Sequence, residues 1–213
     1  DVVVVGASVL TGCRLTVGTG PDEGVIVAYS APLGTAGELW RRSTPQVTFL
    51  RDSGVVTTET MAVGGSGVVR DLTIDWDAST GRLAAAWRQS VQRQGWGLIR
   101  FSERSAGGSW STPESPNGSA FVQGVSPEVR ASNGVVWLAF VVHTFDGISV
   151  QKREASRWDG IEHVIAERRL GRLGGDPANG LFMGPPFDLR GDGSRMWLAH
   201  TGHERGEVTV RSY

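Results

Sequence analysis

One short segment recurs four times in this chain, and in each copy a shared alanine precedes a residue that carries a ring. The copies read VIVAY, LAAAW, VWLAF and MWLAH, at residues 25–29, 83–87, 136–140 and 196–200. The shared alanines are separated by 58, 53 and 60 residues. A regular period of this length is typical of repeat proteins, in which each repeat is one supersecondary unit. The period therefore predicts a fold built from four similar units.

Each repeat has the pattern of an antiparallel β-sheet. The chain contains 30 glycines and eight tryptophans and few runs that favour helix, which indicates an all-β protein with many turns. In the third repeat, Asn133-Gly134 predicts a tight hairpin, because both positions tolerate positive φ. Strands are predicted around it from Glu128, over 136–142 and over 148–154, and Trp158 opens a weaker outer strand.

The fourth repeat ends one strand short, after predicted strands at 188–190, 196–201 and 207–213. Residues 1–10 form an unassigned strand before the first repeat. We therefore expect a β-propeller of four blades, each of four antiparallel strands, in which the N-terminal strand closes the last blade. The predicted blades of this single domain are 13–66, 67–124, 125–182 and 183–213 plus 1–12. Closure would remove exposed sheet edges that promote aggregation.

Charge and hydropathy exclude some classes of partner. The net charge is −1, so the chain has no basic excess for binding nucleic acid through its phosphates. No apolar stretch approaches the roughly 20 residues that span a bilayer, so no membrane span is predicted. Cys13 is the only cysteine, which excludes an intrachain disulfide. The sequence begins within a strand, as a mature product does, and we expect a secreted or periplasmic protein.

Segments of the third repeat resemble the repeats of sialidase-like propellers, the superfamily that carries bacterial neuraminidase repeats, or Asp boxes. The resemblance lies in residues 126–130 followed by 134–139. The Asp box has the form Ser-x-Asp-x-Gly-x-x-Trp between the third and fourth strands of a blade. Here Gly107 and Trp110 match it, whereas Ser105 stands at the acidic position, and the third repeat keeps only Trp158. The resemblance implies a propeller fold.

A second resemblance concerns the sialidase active site. Arg14-Leu15 is similar to the Arg-Ile-Pro segment of sialidases, whose arginine helps to bind the substrate carboxylate, although Thr16 replaces the proline. Sialidases use three such arginines, an aspartate acid/base and a tyrosine nucleophile paired with glutamate, on six blades. The only tyrosines here are Tyr29, in the repeated core segment, and Tyr213, the last residue. The sequence therefore does not predict a complete sialidase site.

Four charged residues occupy similar positions in the predicted first strands: Arg14, Asp71, Glu128 and Asp188. Because first strands run beside the propeller axis, we expect these side chains to meet around a central channel. Three acids and one arginine require partners there. Arg14 would pair with one acid, and the others would use water, backbone donors or a cation such as Ca²⁺. The histidines lack metal-ligand spacing, and we expect no other cofactor.

The leading interpretation is a lectin-like binding module without catalytic residues. Loops on one face of a propeller form a rigid recognition surface, and here they would bind a glycan or a protein partner. The expected contacts are Arg14, Asp71, Trp96, Glu128 and Asp188, with Trp96 and the nearby Arg93 forming a sugar-binding pair.

Two alternatives remain open at this stage. The chain could be a sialidase-like glycoside hydrolase with an altered site, in which two axial carboxylates act and Arg14 holds an anionic substrate. Carboxyl groups about 5–5.5 Å apart would then indicate a retaining mechanism, and about 6.5–9.5 Å an inverting one. The chain could also be a fragment of a larger propeller.

Overall fold

The computed structural model describes residues 16–19, 24–33, 42–51, 54, 56–63, 67–90, 97–116, 123–142, 147–160, 162–163, 187–191, 195–201 and 208–213. These residues form an all-β fold, and they contain no α-helix. Strands follow one another in antiparallel order within each repeat, so the local hairpins predicted from the turns are present.

The first repeat forms a four-stranded sheet with the strands β1 (Thr16–Thr19), β2 (Val25–Pro32), β3 (Ser43–Leu50) and β4 (Val56–Thr60). The second repeat contributes β5 (Val68–Asp77), β6 (Arg82–Ser90) and β7 (Gly97–Arg104). The third contributes β8 (Gln123–Ser132), β9 (Val135–Val142) and β10 (Gly147–Glu154), with the short β11 (Arg157–Trp158) and β12 (Glu162–His163) both paired to β10. The fourth forms a three-stranded sheet of β13 (Phe187–Gly191), β14 (Met196–Thr201) and β15 (Val208–Ser212).

The shared alanines occupy equivalent places in these sheets. Each lies on the second strand of its repeat, opposite Thr16, Thr73, Glu128 and Asp188 on the respective first strands. On the other side they lie opposite Val47, Phe101, Val150 and Val210 of the third strands. The repeats in the sequence therefore correspond to equivalent positions in the four sheets, so that residues of one repeat can be matched with those of another.

The sheets are not four separate blades of four strands. The second and third repeats join into one eight-stranded sheet, because β7 pairs with β8 through Gly97 opposite Gly124 and Leu98 opposite Gln123. Both glycines are sterically required. A Cβ atom on Gly97 would lie 2.6 Å from the carbonyl oxygen of Gln89, and one on Gly124 would lie 2.6 Å from that of Val141. The missing side chains leave room for the backbone of the paired strand within the same repeat, β6 for Gly97 and β9 for Gly124.

The core lies between the repeats, where one sheet face packs against the next. One cluster joins Ala28 and other residues of the first repeat to Trp87 of the second. A second cluster joins Ala86 to Phe140 of the third repeat, and a third joins Ala139 to Leu198 of the fourth. Trp87 and Phe140 are fully buried, whereas Trp137 and Trp197 are half-buried.

The first strands of successive repeats lie beside one another in the order β1, β5, β8 and β13. This order brings Asp71, Glu128 and Asp188 onto neighbouring strands. The strand predicted at residues 1–10 lies outside the described residues, and closure into a four-bladed ring stays a prediction.

Candidate functional site

Asp71 lies in a β-bulge near the start of β5. The pairing of β5 with β6 shifts between Arg70 and Thr73, and Asp71 has a φ of 52°. A non-glycine residue in this left-handed region stores backbone strain of about 1–3 kcal/mol, and such residues concentrate at binding and catalytic sites. The bulge also changes the direction in which the side chain points.

The Asp71 carboxylate is held by two neighbours. Its Oδ2 atom lies 2.9 Å from Nε of Arg88, whose side chain is 2% exposed, and it accepts a long hydrogen bond of 3.4 Å from the backbone amide of Ser126. The Asp71 side chain itself is 15% exposed, so it still reaches solvent. Ser126 occupies an equivalent bulge of β8, with a φ of 49°. Two strained bulges therefore lie side by side at a charged position.

The acids farther along β5 bind the backbone of the third repeat. Asp75 accepts a hydrogen bond of 2.7 Å from the amide of Ala131, and Asp77 accepts bonds of 3.1 and 2.6 Å from the amides of Asn133 and Gly134. Burial raises the pKa of Asp75 above its ordinary value. Burial also acts on Asp77, but hydrogen bonds, from the Ser79 hydroxyl first, outweigh it and lower the pKa of that carboxyl. These two carboxylates fasten one repeat to the next.

Glu128 and Arg130 on β8 bind a single residue of β13. The buried Glu128 carboxylate accepts a hydrogen bond of 3.1 Å from the amide of Leu189. The guanidinium of Arg130 donates one of 2.8 Å to the carbonyl oxygen of the same residue. Glu128 is therefore engaged in holding two first strands together.

The remaining predicted residues have different settings. Asp188 is half exposed and forms an ion pair of 3.0 Å with Arg190, which is 72% exposed. Asp71 lies two residues before Thr73, the position that corresponds to Glu128 and Asp188, so the three acids are not at one level. Each of them engages its own partner. Arg14, Arg93 and Trp96 lie outside the described residues.

Sequence reasoning missed a repeated contact that we call the Glu–Arg–Trp clamp. In the first clamp, Glu59 on β4 lies 2.7 Å from an Nη atom of Arg104 and accepts a hydrogen bond of 2.9 Å from the indole of Trp110. In the second clamp, Glu114 lies 3.1 Å from Nε of Arg153 and accepts one of 2.8 Å from the indole of Trp158. The glutamate belongs to one repeat, and the arginine and tryptophan belong to the next.

The clamps give a structural role to the two tryptophans that match the Asp box. Trp110 follows Arg104 by six residues and Trp158 follows Arg153 by five, a spacing that the sequence already contained. Arg153 also lies 2.7 Å from Glu103 and over the Phe101 ring, 5.1 Å from its centre. These partly buried ion pairs and hydrogen bonds connect one repeat to the next.

Within the described parts of the chain, no group of three or more histidine, cysteine, aspartate or glutamate side chains is arranged to hold a metal ion. No described helix is long and apolar enough to cross a membrane.

Comparison with solved structures identifies the architecture. The chain superimposes on a Hadza microbial sialidase with a TM-score of 0.54 at 13% identity, over 94% of this chain and 44% of that one. An α-L-arabinanase from Penicillium chrysogenum matches with a TM-score of 0.51 at 9% identity, over 93% and 61% of the two chains. An exo-β-1,3-galactanase from Phanerochaete chrysosporium matches with a TM-score of 0.50 at 7% identity, over 97% and 47%.

The chain shares its fold with propeller glycosidases. It spans only about half the length of those structures, from 44% to 61%. No protein-family model matches the sequence, and no curated protein matches it. The likeness is one of fold alone, because the sequence identities are only 7–13%.

Proposed function

We propose that this chain is the propeller part of a glycan-active protein and that it acts as a glycoside hydrolase with Asp71 at its site. The support from fold is that three structural neighbours are named as a sialidase, an α-L-arabinanase and an exo-β-1,3-galactanase. Support from the site is the setting of Asp71, a partly exposed carboxylate on a strained bulge beside a buried arginine.

Asp71 has the properties that a carboxylate acting on a sugar needs. Arg88 and the Ser126 amide hold the carboxylate in one orientation. Because the side chain is 15% exposed, it can accept a hydrogen bond from a sugar hydroxyl or face an anomeric carbon. The other acids of β5 and β8 are committed to backbone amides. Glycoside hydrolysis requires two carboxyl groups, and in this proposal the second comes from outside the described residues.

The experiment is a panel of chromogenic glycosides together with arabinan, β-1,3-galactan and a sialoside, tested with the unchanged chain and with Asp71→Asn. We expect hydrolysis of at least one member and a fall in kcat/KM of about 100-fold or more in the variant, because a positioned carboxylate contributes 10²–10⁴-fold. The control is Asp159→Asn, at an exposed residue that directly follows β11. Equal activity in Asp71→Asn and the unchanged chain would reject Asp71 as the catalytic group.

A non-catalytic glycan-binding module is the second candidate. It is favoured by the partners of the described acids, since Asp75, Asp77 and Glu128 all bind backbone amides and are not available as a catalytic pair with Asp71. A glycan array run beside the hydrolysis panel separates the two functions. Binding that Asp71→Ala weakens, without release of sugar from any substrate, would favour the binding module.

A further inference from the structure

Among the described residues, the fourth sheet is covered on one face and exposed on the other. Leu189 and Leu198, on the covered face, pack against the third repeat and are fully buried. The opposite face carries Trp197, Ala199 and Val210. Trp197 lies opposite Arg190, and Ala199 lies opposite Asp188 on one side and Val210 on the other, so these side chains share one face. Val208 and Val210 are 66% and 61% exposed, and Trp197 and Ala199 are only half-buried.

The equivalent face of each earlier repeat is covered by the sheet that follows it. Ala28, Ala86 and Ala139 are all 0% exposed, and each belongs to a cluster shared with the next repeat. Val150, which corresponds to Val210, is 2% exposed. The fourth repeat therefore keeps the alanine of this interface as Ala199, and beside it on the same face Trp197, which corresponds to Trp137, without a described sheet on top of them.

A polar feature marks the same face independently. Glu128 and Arg130 lie opposite Ala139 and Trp137, and together they bind the amide and the carbonyl of Leu189 in the next first strand. Asp188 and Arg190 lie opposite Ala199 and Trp197 in the same register. The fourth repeat thus has the same acid and arginine as the third, but here the side chains are 50% and 72% exposed and form an ion pair with each other.

The geometry points to a further β-sheet of the same polypeptide, beyond these 213 residues, that packs on the uncovered face of the fourth sheet. Asp188 would accept the backbone amide of one residue in its first strand, and Arg190 would donate to the carbonyl of that residue, as Glu128 and Arg130 do with Leu189. Val208, Val210, Trp197 and Ala199 would be buried against its apolar face.

Two observations favour a further sheet over a head-to-tail contact with a second copy of this chain. In such a contact the second copy would present the face of its first sheet that points away from the second repeat, and that face is already covered, since Val27 and Tyr29 are 6% and 3% exposed. The structural neighbours are also much longer, because this chain spans 44% of the sialidase and 47% of the galactanase. A polypeptide of that length has room for additional repeats.

The test compares the 213-residue chain with the full polypeptide that its gene encodes, using Asp188→Asn combined with Arg190→Met. We expect the pair to lower the Tm of the full polypeptide by about 5 °C, which suits the loss of two charged hydrogen bonds in a domain of this size. In the 213-residue chain the same pair should change the Tm by less than about 1 °C, because exposed ion pairs contribute little. The matched control, Glu128→Gln with Arg130→Met, should lower the Tm of both.

A second measurement does not depend on these variants. Hydrogen exchange in residues 187–191 and 208–212 should be slower in the full polypeptide than in the 213-residue chain. A gene that ends at Tyr213 would overturn the proposal, and so would equal exchange in both proteins. Dimerisation of the 213-residue chain that Trp197→Ser abolishes would instead assign the face to self-association. None of these readouts involves glycan hydrolysis, so the proposal and the proposed function fail separately.

Discussion

At the scale of single residues, the acids on the first strands act mainly as acceptors for backbone amides. Asp77 accepts hydrogen bonds from the hydroxyls of Ser79 and Thr80 in its own turn and from two amides of the next repeat's turn. It thereby joins its own turn to the turn of the next repeat, whose two amides are 56 and 57 residues away in the sequence. A buried amide that loses its acceptor costs about 1–3 kcal/mol.

Asp77→Ala should therefore reduce the free energy of unfolding by about 2 kcal/mol, measured by urea denaturation at pH 7. Because folding lowers the pKa of Asp77 from 3.8, its charge stabilises the protein above that pH, and this contribution is lost as the pH falls through the folded-state value. Asp75 has a raised pKa, so its contribution to stability decreases as the pH rises above 3.8. Asp77→Asn should reduce the amount of stability that the protein loses at acid pH, whereas Asp75→Asn should not reduce it. The same acid-induced loss in Asp77→Asn as in the unchanged chain would contradict this assignment.

At the scale of elements, the Glu–Arg–Trp clamps fix the outer strands of one repeat to those of the next. Arg153 is the central group of the second clamp, with a side chain 8% exposed that contacts Glu103 and Glu114 and lies over the rings of Phe101 and Trp158. Removing one partner of a buried ion pair leaves an uncompensated charge, which costs about 3–5 kcal/mol when burial is complete. Glu114 is 41% exposed, so the cost here should be smaller.

Arg153→Met should lower the free energy of unfolding by about 2 kcal/mol. Its sequence neighbour provides the control, since Lys152 forms an ion pair with Glu154 in which the two side chains are 33% and 59% exposed. Lys152→Met should change stability by less than about 0.5 kcal/mol. Guanidinium chloride would screen both pairs, so urea unfolding is the appropriate measurement. Equal effects of the two substitutions would show that the clamp carries no special stability.

At the scale of the whole molecule, stability depends on successive sheets packing face to face. Ala86 is fully buried in the cluster that joins the second and third repeats, and it has no room for a larger side chain. Ala86→Leu should destabilise the chain by about 1–3 kcal/mol through overpacking. Ala78→Leu, at an exposed turn position, should cost less than about 0.5 kcal/mol. Thermal unfolding followed by circular dichroism would check both, and a neutral Ala86→Leu would be inconsistent with tight packing between these sheets.

The repeat period, the hairpin turns and the buried alanines were predictable from the sequence because they are local features. A strand, its turn and the alanine beside an aromatic residue lie within about a dozen residues. The predicted strand at 196–201 coincides with β14, and that at 136–142 lies within β9. The partners of Asp71, Asp77 and Glu128 were not predictable, because the amides they bind are 55 to 61 residues away and any residue supplies a backbone amide.

The sequence by itself determined that the chain is all-β and that it repeats one unit four times, since alternation and turn chemistry act over neighbouring residues. Only the tertiary structure decided what the acids do. The bulges at Asp71 and Ser126 shift the register, and the packing of one first strand beside the next brings carboxylates to backbone amides. Those contacts depend on how distant repeats approach one another, a property that no local pattern encodes.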